Sequence, residues 1–269
     1  MSNFFKGKTL VLPGVFNPLV AMSAKRVGFH ALYLSGGALS ASLGKPDIGL
    51  TTLAQVSEAA KHIVDATALP LLVDADTGFG NVFKTVRALE KTGAAGLHME
   101  DQVDAKRCGH LKGKRLISTK LMCQKIRTAC QARRKKDFVI LARTDARGVE
   151  GLESAIERAK AYLQAGADGI FPEGLQSAAE FRTFAKALPK IPLLANMTEF
   201  GKTPYLTVSQ FSKLGYKMVI FPVSTLRLAM KAVEKGLTEI RAKGTQKGIL
   251  KNMQTRKELY QLLNYGGKV

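Results

Sequence analysis

Thr92-Gly93-Ala94-Ala95-Gly96-Leu97-His98-Met99 reads as the end of a helix followed at once by a buried strand. Glycine suits the left-handed position that closes a helix, and the short apolar run behind it suits a strand covered on both faces. The phrase returns three times, as Val27-Gly28-Phe29-His30-Ala31-Leu32-Tyr33-Leu34, Ala165-Gly166-Ala167-Asp168-Gly169-Ile170-Phe171 and Leu214-Gly215-Tyr216-Lys217-Met218-Val219-Ile220-Phe221. Four more apolar runs alternate with these copies: Thr9-Leu10-Val11-Leu12, Leu71-Leu72-Val73, Phe138-Val139-Ile140-Leu141 and Ile191-Pro192-Leu193-Leu194. Helix-like stretches separate most of them, for example Leu152 to Ala165 with Ile156, Ala159 and Leu163 on one face. Eight short buried strands alternating with helices predict an α/β chain folded as a (β/α)8 TIM barrel. An open doubly wound sheet is the alternative, because periodicity does not report closure.

Residues 1–248 complete the expected barrel, with a helix near Leu226 to Lys243 after the last strand. A further helix from Ile249 to Leu263 exceeds what a barrel needs. Residues 249–269 are therefore expected to form an extension that caps the barrel or is exchanged between subunits.

Composition limits the function class. The chain has 269 residues, 46% of them hydrophobic, enough for one large core. No run of 18 apolar residues predicts a membrane span, and Met1 to Lys8 lacks a long apolar segment of the secretory kind. Cys108, Cys123 and Cys130 form no CxxC pair, which argues against structural zinc and for free thiols in a reducing cytoplasm. The 41 Lys and Arg against 21 Asp and Glu give a net charge of +20. That surplus suits nucleic acid, an acidic membrane or an anionic substrate. No basic patch interleaved with aromatics supports nucleic acid, and no membrane partner is expected. The densest charge run, Arg133-Arg134-Lys135-Lys136, reads as a solvated loop on the face away from the active site.

Barrel active sites form at the C-terminal ends of the strands. Those ends carry Ser35-Gly36-Gly37, Asp74-Ala75-Asp76, Glu100-Asp101-Gln102, Arg143-Thr144-Asp145, Pro172-Glu173 and Asn196-Met197-Thr198. Asp74 and Asp76 are two apart, so a strand would point both to one side, and two close carboxylates call for a cation between them. With Glu100 nearby, an oxygen-only site for Mg²⁺ or Mn²⁺ follows. Arg143 offers a fork that matches a carboxylate. After the fourth strand, Lys106-Arg107-Cys108-Gly109-His110 surrounds a thiol with positive charge, which favours its thiolate and suits it to act as nucleophile or proton donor.

Together with Tyr33-Leu34-Ser35-Gly36-Gly37, Val73 to Gly80, Ala142 to Asp145, Asn196 to Gly201 and Gly244-Thr245-Gln246, these segments resemble the isocitrate lyase and phosphoenolpyruvate mutase superfamily, from about Leu10 to Tyr265. The cysteine segment marks its lyase branch. The resemblance implies Mg²⁺-dependent cleavage of the small tricarboxylate 2-methylisocitrate to pyruvate and succinate, in the methylcitrate cycle of propionate catabolism. It implies a cytoplasmic homotetramer. Asp74 and Asp76 would hold the metal, with Asp47 and Glu100 in its wider shell. Ser35, Gly36, Gly37, Cys108, Gly109, His110, Arg143, Glu173, Asn196, Thr198, Arg227 and Gly244 would contact substrate. Phe171, Ile220 and Pro222 would receive the methyl group. Cys108 would donate a proton to the departing carbanion, which Arg143 would stabilise. Glu100 and Tyr33 complete the expected catalytic set, and the base for the hydroxyl proton stays open among Tyr33, a metal-bound water and the carboxylates. The alternatives are an isocitrate lyase, whose inserted helices do not fit in 269 residues, and an oxaloacetate decarboxylase or phosphonate mutase, which the cysteine segment disfavours.

Overall fold

A computed structural model describes residues 7–104, 106 and 113–265. Its eight strands are β1 (Leu10–Val15), β2 (Leu32–Leu34), β3 (Leu71–Asp74), β4 (Gly96–Glu100), β5 (Val139–Thr144), β6 (Gly169–Pro172), β7 (Leu194–Asn196) and β8 (Met218–Phe221). All pair in parallel in the order β6-β5-β4-β3-β2-β1-β8-β7. A parallel bridge between Ile170 and Leu193 links β6 to β7, so the ring is nearly closed and the open-sheet alternative falls away. The recurring glycines all have positive φ, 102° at Gly28, 86° at Gly93, 110° at Gly166 and 94° at Gly215, a conformation that side chains resist.

The strands are buried on both faces, which is why they read as continuous apolar runs. Leu12, Tyr33, Leu72, Leu141, Phe171 and Ile220 fill the inside of the ring. The alternate residues, such as Leu34, Val73, Ile140 and Ile170, face the surrounding helices. Those helices are α1 (Pro18–Val27), α2 (Gly36–Ser42), α3 (Leu53–Thr67), α4 (Val82–Lys91), α5 (Thr119–Ala132), α6 (Leu152–Gln164), α7 (Ala178–Ala187) and α8 (Val208–Lys213). Most start behind a polar cap, as Asn17, Thr52, Asn81 and Ser118 do for α1, α3, α4 and α5. On α6 Ile156, Ala159 and Leu163 pack against the core as expected, and the covered face widens to Ala155, Arg158 and Tyr162, whose hydroxyl donates to the Asp101 carboxylate.

After β8 runs α9 (Ser224–Lys243), which buries none of its residues and exposes Leu228, Met230, Val233, Leu237 and Ile240. The expected helix from Ile249 to Leu263 is instead a 3-10 turn at Lys247–Asn252 followed by α10 (Arg256–Leu262). Extended backbone at Met253 breaks it, and Thr255 with Glu258 starts α10 through a reciprocal capping box. Arg26 Nη1 donates to Glu258 O (3.3 Å), which places α10 beside α1. Among the described residues no helix is long and apolar enough to cross a membrane. In the charge run, Arg134, Lys135 and Lys136 are exposed, as a solvated loop requires, while Arg133 is paired. Arg133 Nη1 lies 2.6 Å from Asp168 Oδ2, and the backbone N–H groups of Arg134 and Lys135 donate to Glu90 Oε1.

Candidate active site

Carboxylates crowd the C-terminal ends of β2 to β4. Asp74 is the last residue of β3. Asp76 lies beyond the strand with φ 47°, so a tight turn, rather than the two-residue period of a strand, returns its carboxylate to the same spot. The turn is held by Asp76 N donating to Asp74 Oδ1 at 3.1 Å. From the start of α2, Gly36 N donates to Asp74 Oδ2 at 3.2 Å. A Cβ at Gly36 would stand 2.9 Å from that oxygen, so a larger residue would push the carboxylate away. Ser35 caps α2, its Oγ accepting from Ala38 N. The amide of Gly36 and one of the two lone pairs of Ser35 Oγ are thus already engaged within the chain.

Lys106 closes the cluster. Its ammonium is buried, 2.6 Å from Asp47 Oδ1 and 2.5 Å from Asp76 Oδ1. Burial opposes the charge on Lys106, but Glu100, Asp76, Asp74 and Asp47 outweigh it and raise the pKa well above the usual lysine range. For Asp74 burial is likewise outweighed, here by His98, Lys106 and Arg143, which bring it down to about 2. Asp76 goes the other way, to about 6, through burial and the neighbouring Asp74 charge. Among the described residues no three acidic, histidine or cysteine side chains close on a metal as they stand. The ammonium occupies the middle of the cluster. The donor set still suits a hard divalent cation, since it is all oxygen and both buried oxygens of Glu100 accept no hydrogen bond.

Tyr33 and His98 form the floor. The Tyr33 hydroxyl donates to Asp74 Oδ2 at 3.1 Å and lies 2.8 Å from His98 Nε2. Burial pushes His98 down to about 4, so the imidazole is neutral at pH 7 and its 3.6 Å approach to Asp74 is no ion pair there. Hydrogen-bond roles then assign the proton to Nε2, with His98 donating to Tyr33 and Tyr33 to Asp74. Burial and the Asp74 charge raise the Tyr33 pKa well above the ordinary phenol value, making it a proton-bearing prop rather than a base.

Arg143, on β5, anchors the opposite wall. Its Nε and Nη2 donate to Asp145 Oδ2 and Oδ1 at 2.9 and 3.2 Å, a two-pronged grip. Nη1 is 3.2 Å from Glu100 Oε2, and Nη2 is 3.7 Å from Glu173 Oε2. The guanidinium stands over the Phe171 ring at 5.2 Å. Behind it, Lys114 Nζ donates to Asp145 Oδ1 at 2.8 Å. Asp101 Oδ1 accepts from Asp145 N at 2.9 Å, and its Oδ2 accepts from Thr144 Oγ1 and Tyr162 OH at 2.8 and 2.7 Å. Burial raises Glu100 well above the usual carboxylate range despite Arg143 and Lys106.

One cavity gathers most of the expected site. Tyr33, Ser35, Gly37, Asp47, Asp74 and Lys106 line one side. Arg143, Glu173, Asn196 and Thr198 line the other, with Phe171, Ile220 and Pro222 as its apolar part. Asn196 Nδ2 donates to Glu173 Oε2 at 3.0 Å. Gly36, Asp76 and Glu100 lie just behind this lining, through the contacts given above. Two expected residues are not brought there. Arg227, in the first turn of α9, is half exposed, pairs with Glu199 at 3.6 Å and stacks over Phe200. Gly244 ends α9, about 30 Å along the helix from its start at 1.5 Å per residue. Cys108, Gly109 and His110 lie outside the described residues. The reading of the sequence missed His98, Asp145 and Asp101, and took Lys106 only as a neighbour of the cysteine. His98 was open to it, being two residues before Glu100 on a buried strand and so on the same face.

The phosphoenolpyruvate phosphomutase family matches residues 4–241. A 2-methylisocitrate lyase of Aeropyrum pernix is 57% identical over 263 residues, covering 97% of this chain and 84% of the relative. A solved 2,3-dimethylmalate lyase is 37% identical, with TM-score 0.90 over 95% of this chain and 86% of that one. A phosphonopyruvate hydrolase solved with oxalate and Mg²⁺ is 31% identical, with TM-score 0.86 over 95% and 90% of the two chains. This chain therefore belongs to the phosphoenolpyruvate phosphomutase family, and the 2-methylisocitrate lyases are among its relatives.

Proposed function

We propose that the chain cleaves 2-methylisocitrate to pyruvate and succinate at the C-terminal rim of the barrel. The observation that carries this reading is the two-sided cavity: acids around a cation on one wall, an arginine and an apolar corner of Phe171, Ile220 and Pro222 on the other. A tricarboxylate with a methyl group matches both walls.

Asp74 and Asp76 would hold Mg²⁺, with Asp47 and Glu100 around them, and Mn²⁺ could substitute; the Lys106 ammonium would give up its place between Asp47 and Asp76. When bound, the ion supplies Lewis-acid polarisation of the substrate's hydroxyl and neighbouring carboxylate. Tyr33, with His98 behind it, keeps Asp74 oriented, and the Lys106 and Arg143 charges keep it ionised. A water or one of the rim carboxylates takes the hydroxyl proton, the carbon–carbon bond breaks to give pyruvate, and the electron pair stays on the succinate fragment as an aci-carboxylate. Arg143, already aligned by Asp145, meets that developing charge with no reorganisation. Cys108 then donates the proton that completes succinate. Ser35, Gly37, Glu173, Asn196 and Thr198 hold the substrate's polar groups, together with Gly109 and His110, while Gly36 acts on the site through its hydrogen bond to Asp74.

Self-association belongs to this reading. The exposed stripe Met230, Val233, Leu237 and Ile240 on α9 asks for cover, and a homotetramer would supply it. Arg227 and Gly244 lie on that helix, so their contact with substrate would come through its packing in the assembly.

The test is product stoichiometry. With Mg²⁺, pyruvate and succinate should form one to one from 2-methylisocitrate, and Cys108→Ala should abolish both while circular dichroism stays unchanged. Full activity in Cys108→Ala would remove that residue from the mechanism. The solved relatives named for 2,3-dimethylmalate and oxaloacetate favour a second reading, another acid of the same shape, and turnover of either in preference to 2-methylisocitrate would establish it.

A further inference from the structure

At the opposite end of the barrel, beneath the starts of β7 and β8, a cavity of about 380 Å³ opens between the C-terminal half of α7, the end of α8 and the turns that follow them. Its size falls within the range of small-molecule pockets. Of the eleven residues that line it, five are cationic: Arg182, Lys186, Lys190, Lys213 and Lys217. In the whole chain, Lys and Arg account for 41 of 269 residues, so the cavity is enriched about threefold in positive charge. None of the chain's acids lines it. Some basic residues elsewhere are neutralised locally, as in Arg133 with Asp168 and Arg147 with Glu180. At these five, no ion pair with a described residue is formed.

Two further details set the cavity apart from an ordinary basic surface. Lys190 has φ 67°, a left-handed backbone that glycine or asparagine would adopt more readily. A bulky cation is kept there at a conformational cost. The cavity also has an apolar base, in which Leu188 and Leu193 are buried. A low-dielectric base strengthens the pull of the surrounding cations on an anion.

We propose that this cavity is a binding site for an oligophosphate group, remote from the active-site rim. A di- or triphosphate supplies closely spaced negative charge for several cations at once, and the Arg182 guanidinium matches phosphate oxygens in a fork. A single phosphate would satisfy one or two of the five. The oligophosphate could arrive free or as part of a nucleotide, and the two sources share the chemistry that the cations recognise.

The experiment is calorimetric titration of the full chain, without added Mg²⁺, at about physiological ionic strength. Inorganic triphosphate, adenosine triphosphate and inorganic phosphate are the three probes. Triphosphate should bind saturably at one site per chain, at least tenfold more tightly than phosphate. Tighter binding of adenosine triphosphate than of triphosphate would identify a nucleotide as the source, and equal binding the free anion. The double variant Lys190→Glu/Lys217→Glu should weaken triphosphate at least tenfold. The control Arg134→Glu/Lys136→Glu, which changes net charge equally on the same end of the barrel, should stay within threefold. Neither pair touches the active-site rim, so both variants should retain lyase turnover and the parent circular dichroism spectrum. Absence of saturable triphosphate binding, or equal weakening in both variants, would overturn the proposal. Should Lys190→Glu/Lys217→Glu lose its fold, the single variant Arg182→Gln replaces it, with the same tenfold criterion.

Discussion

The two ends of the barrel carry charge in opposite ways. At the C-terminal rim the charges are buried and interlocked: Arg143 faces Asp145, Glu100 and Glu173, and Lys106 faces Asp47 and Asp76. At the N-terminal rim, around the starts of β7 and β8, the charges are exposed and of one sign. A net charge of +20 averages over both and describes neither. Buried and paired charge is rigid, and its removal leaves a partner stranded in low dielectric. Exposed charge is replaceable at little cost to the fold. Catalysis that relies on fixed electrostatics therefore belongs to the first rim.

The largest effect expected from this contrast is at Arg143. Arg143→Lys keeps the charge but loses the fork held by Asp145, and kcat/KM should fall by roughly 10²–10³. Lys190→Glu at the other rim should leave kcat/KM within about twofold. Steady-state kinetics on both variants would break the comparison if the second matched the first.

Asp74→Asn comes next. It removes a charge that Lys106 and Arg143 hold ionised, and the Mg²⁺ concentration for half-maximal activity should rise at least about tenfold. Chelation of Mg²⁺ should abolish turnover of the parent, and its re-addition restore it. Unchanged Mg²⁺ dependence in Asp74→Asn would take the ion away from the β3 end.

Tyr162→Phe probes the support behind the site. It removes the 2.7 Å donor to the buried Asp101 and should cost about 1–3 kcal/mol in denaturant unfolding. The smallest effect is expected at a half-buried pair near the surface. Arg147→Ala breaks the pair with Glu180 and should cost less than about 1 kcal/mol at pH 7. The Arg147 hydrogen bond holds Glu180 below its ordinary value of 4.5, burial opposing it. A depressed carboxylate stabilises the fold above its unfolded pKa and loses that contribution as pH falls through the folded value. The difference between parent and Arg147→Ala should therefore shrink below about pH 4.5.

The barrel was legible because its signals are local. A glycine at each of four helix ends and an apolar run behind it are properties of adjacent residues, and their φ values bear the reading out. The polar strand ends were legible for the same reason, since a barrel places them on one rim. What stayed hidden depends on reach across the rim. Lys106 follows β4 in sequence, yet its ammonium lies between Asp47, after α2, and Asp76, after β3, and no spacing encodes that. The shared position of Asp74 and Asp76 was read correctly for the wrong reason, because a turn rather than a strand creates it. Asp101 and Asp145 were passed over as strand-end polarity, although they hold the arginine that was singled out. The break before α10 was visible in Thr255 and Glu258, a capping pair inside what looked like one helix.

The most direct test of the account is the specificity ratio between 2-methylisocitrate and isocitrate, measured as kcat/KM with Mg²⁺ present. The corner formed by Phe171, Ile220 and Pro222 predicts a preference for the methylated acid of about 10–200-fold, the range that one methylene in an apolar pocket supplies. Equal turnover of the two acids, or a preference for isocitrate, would contradict it.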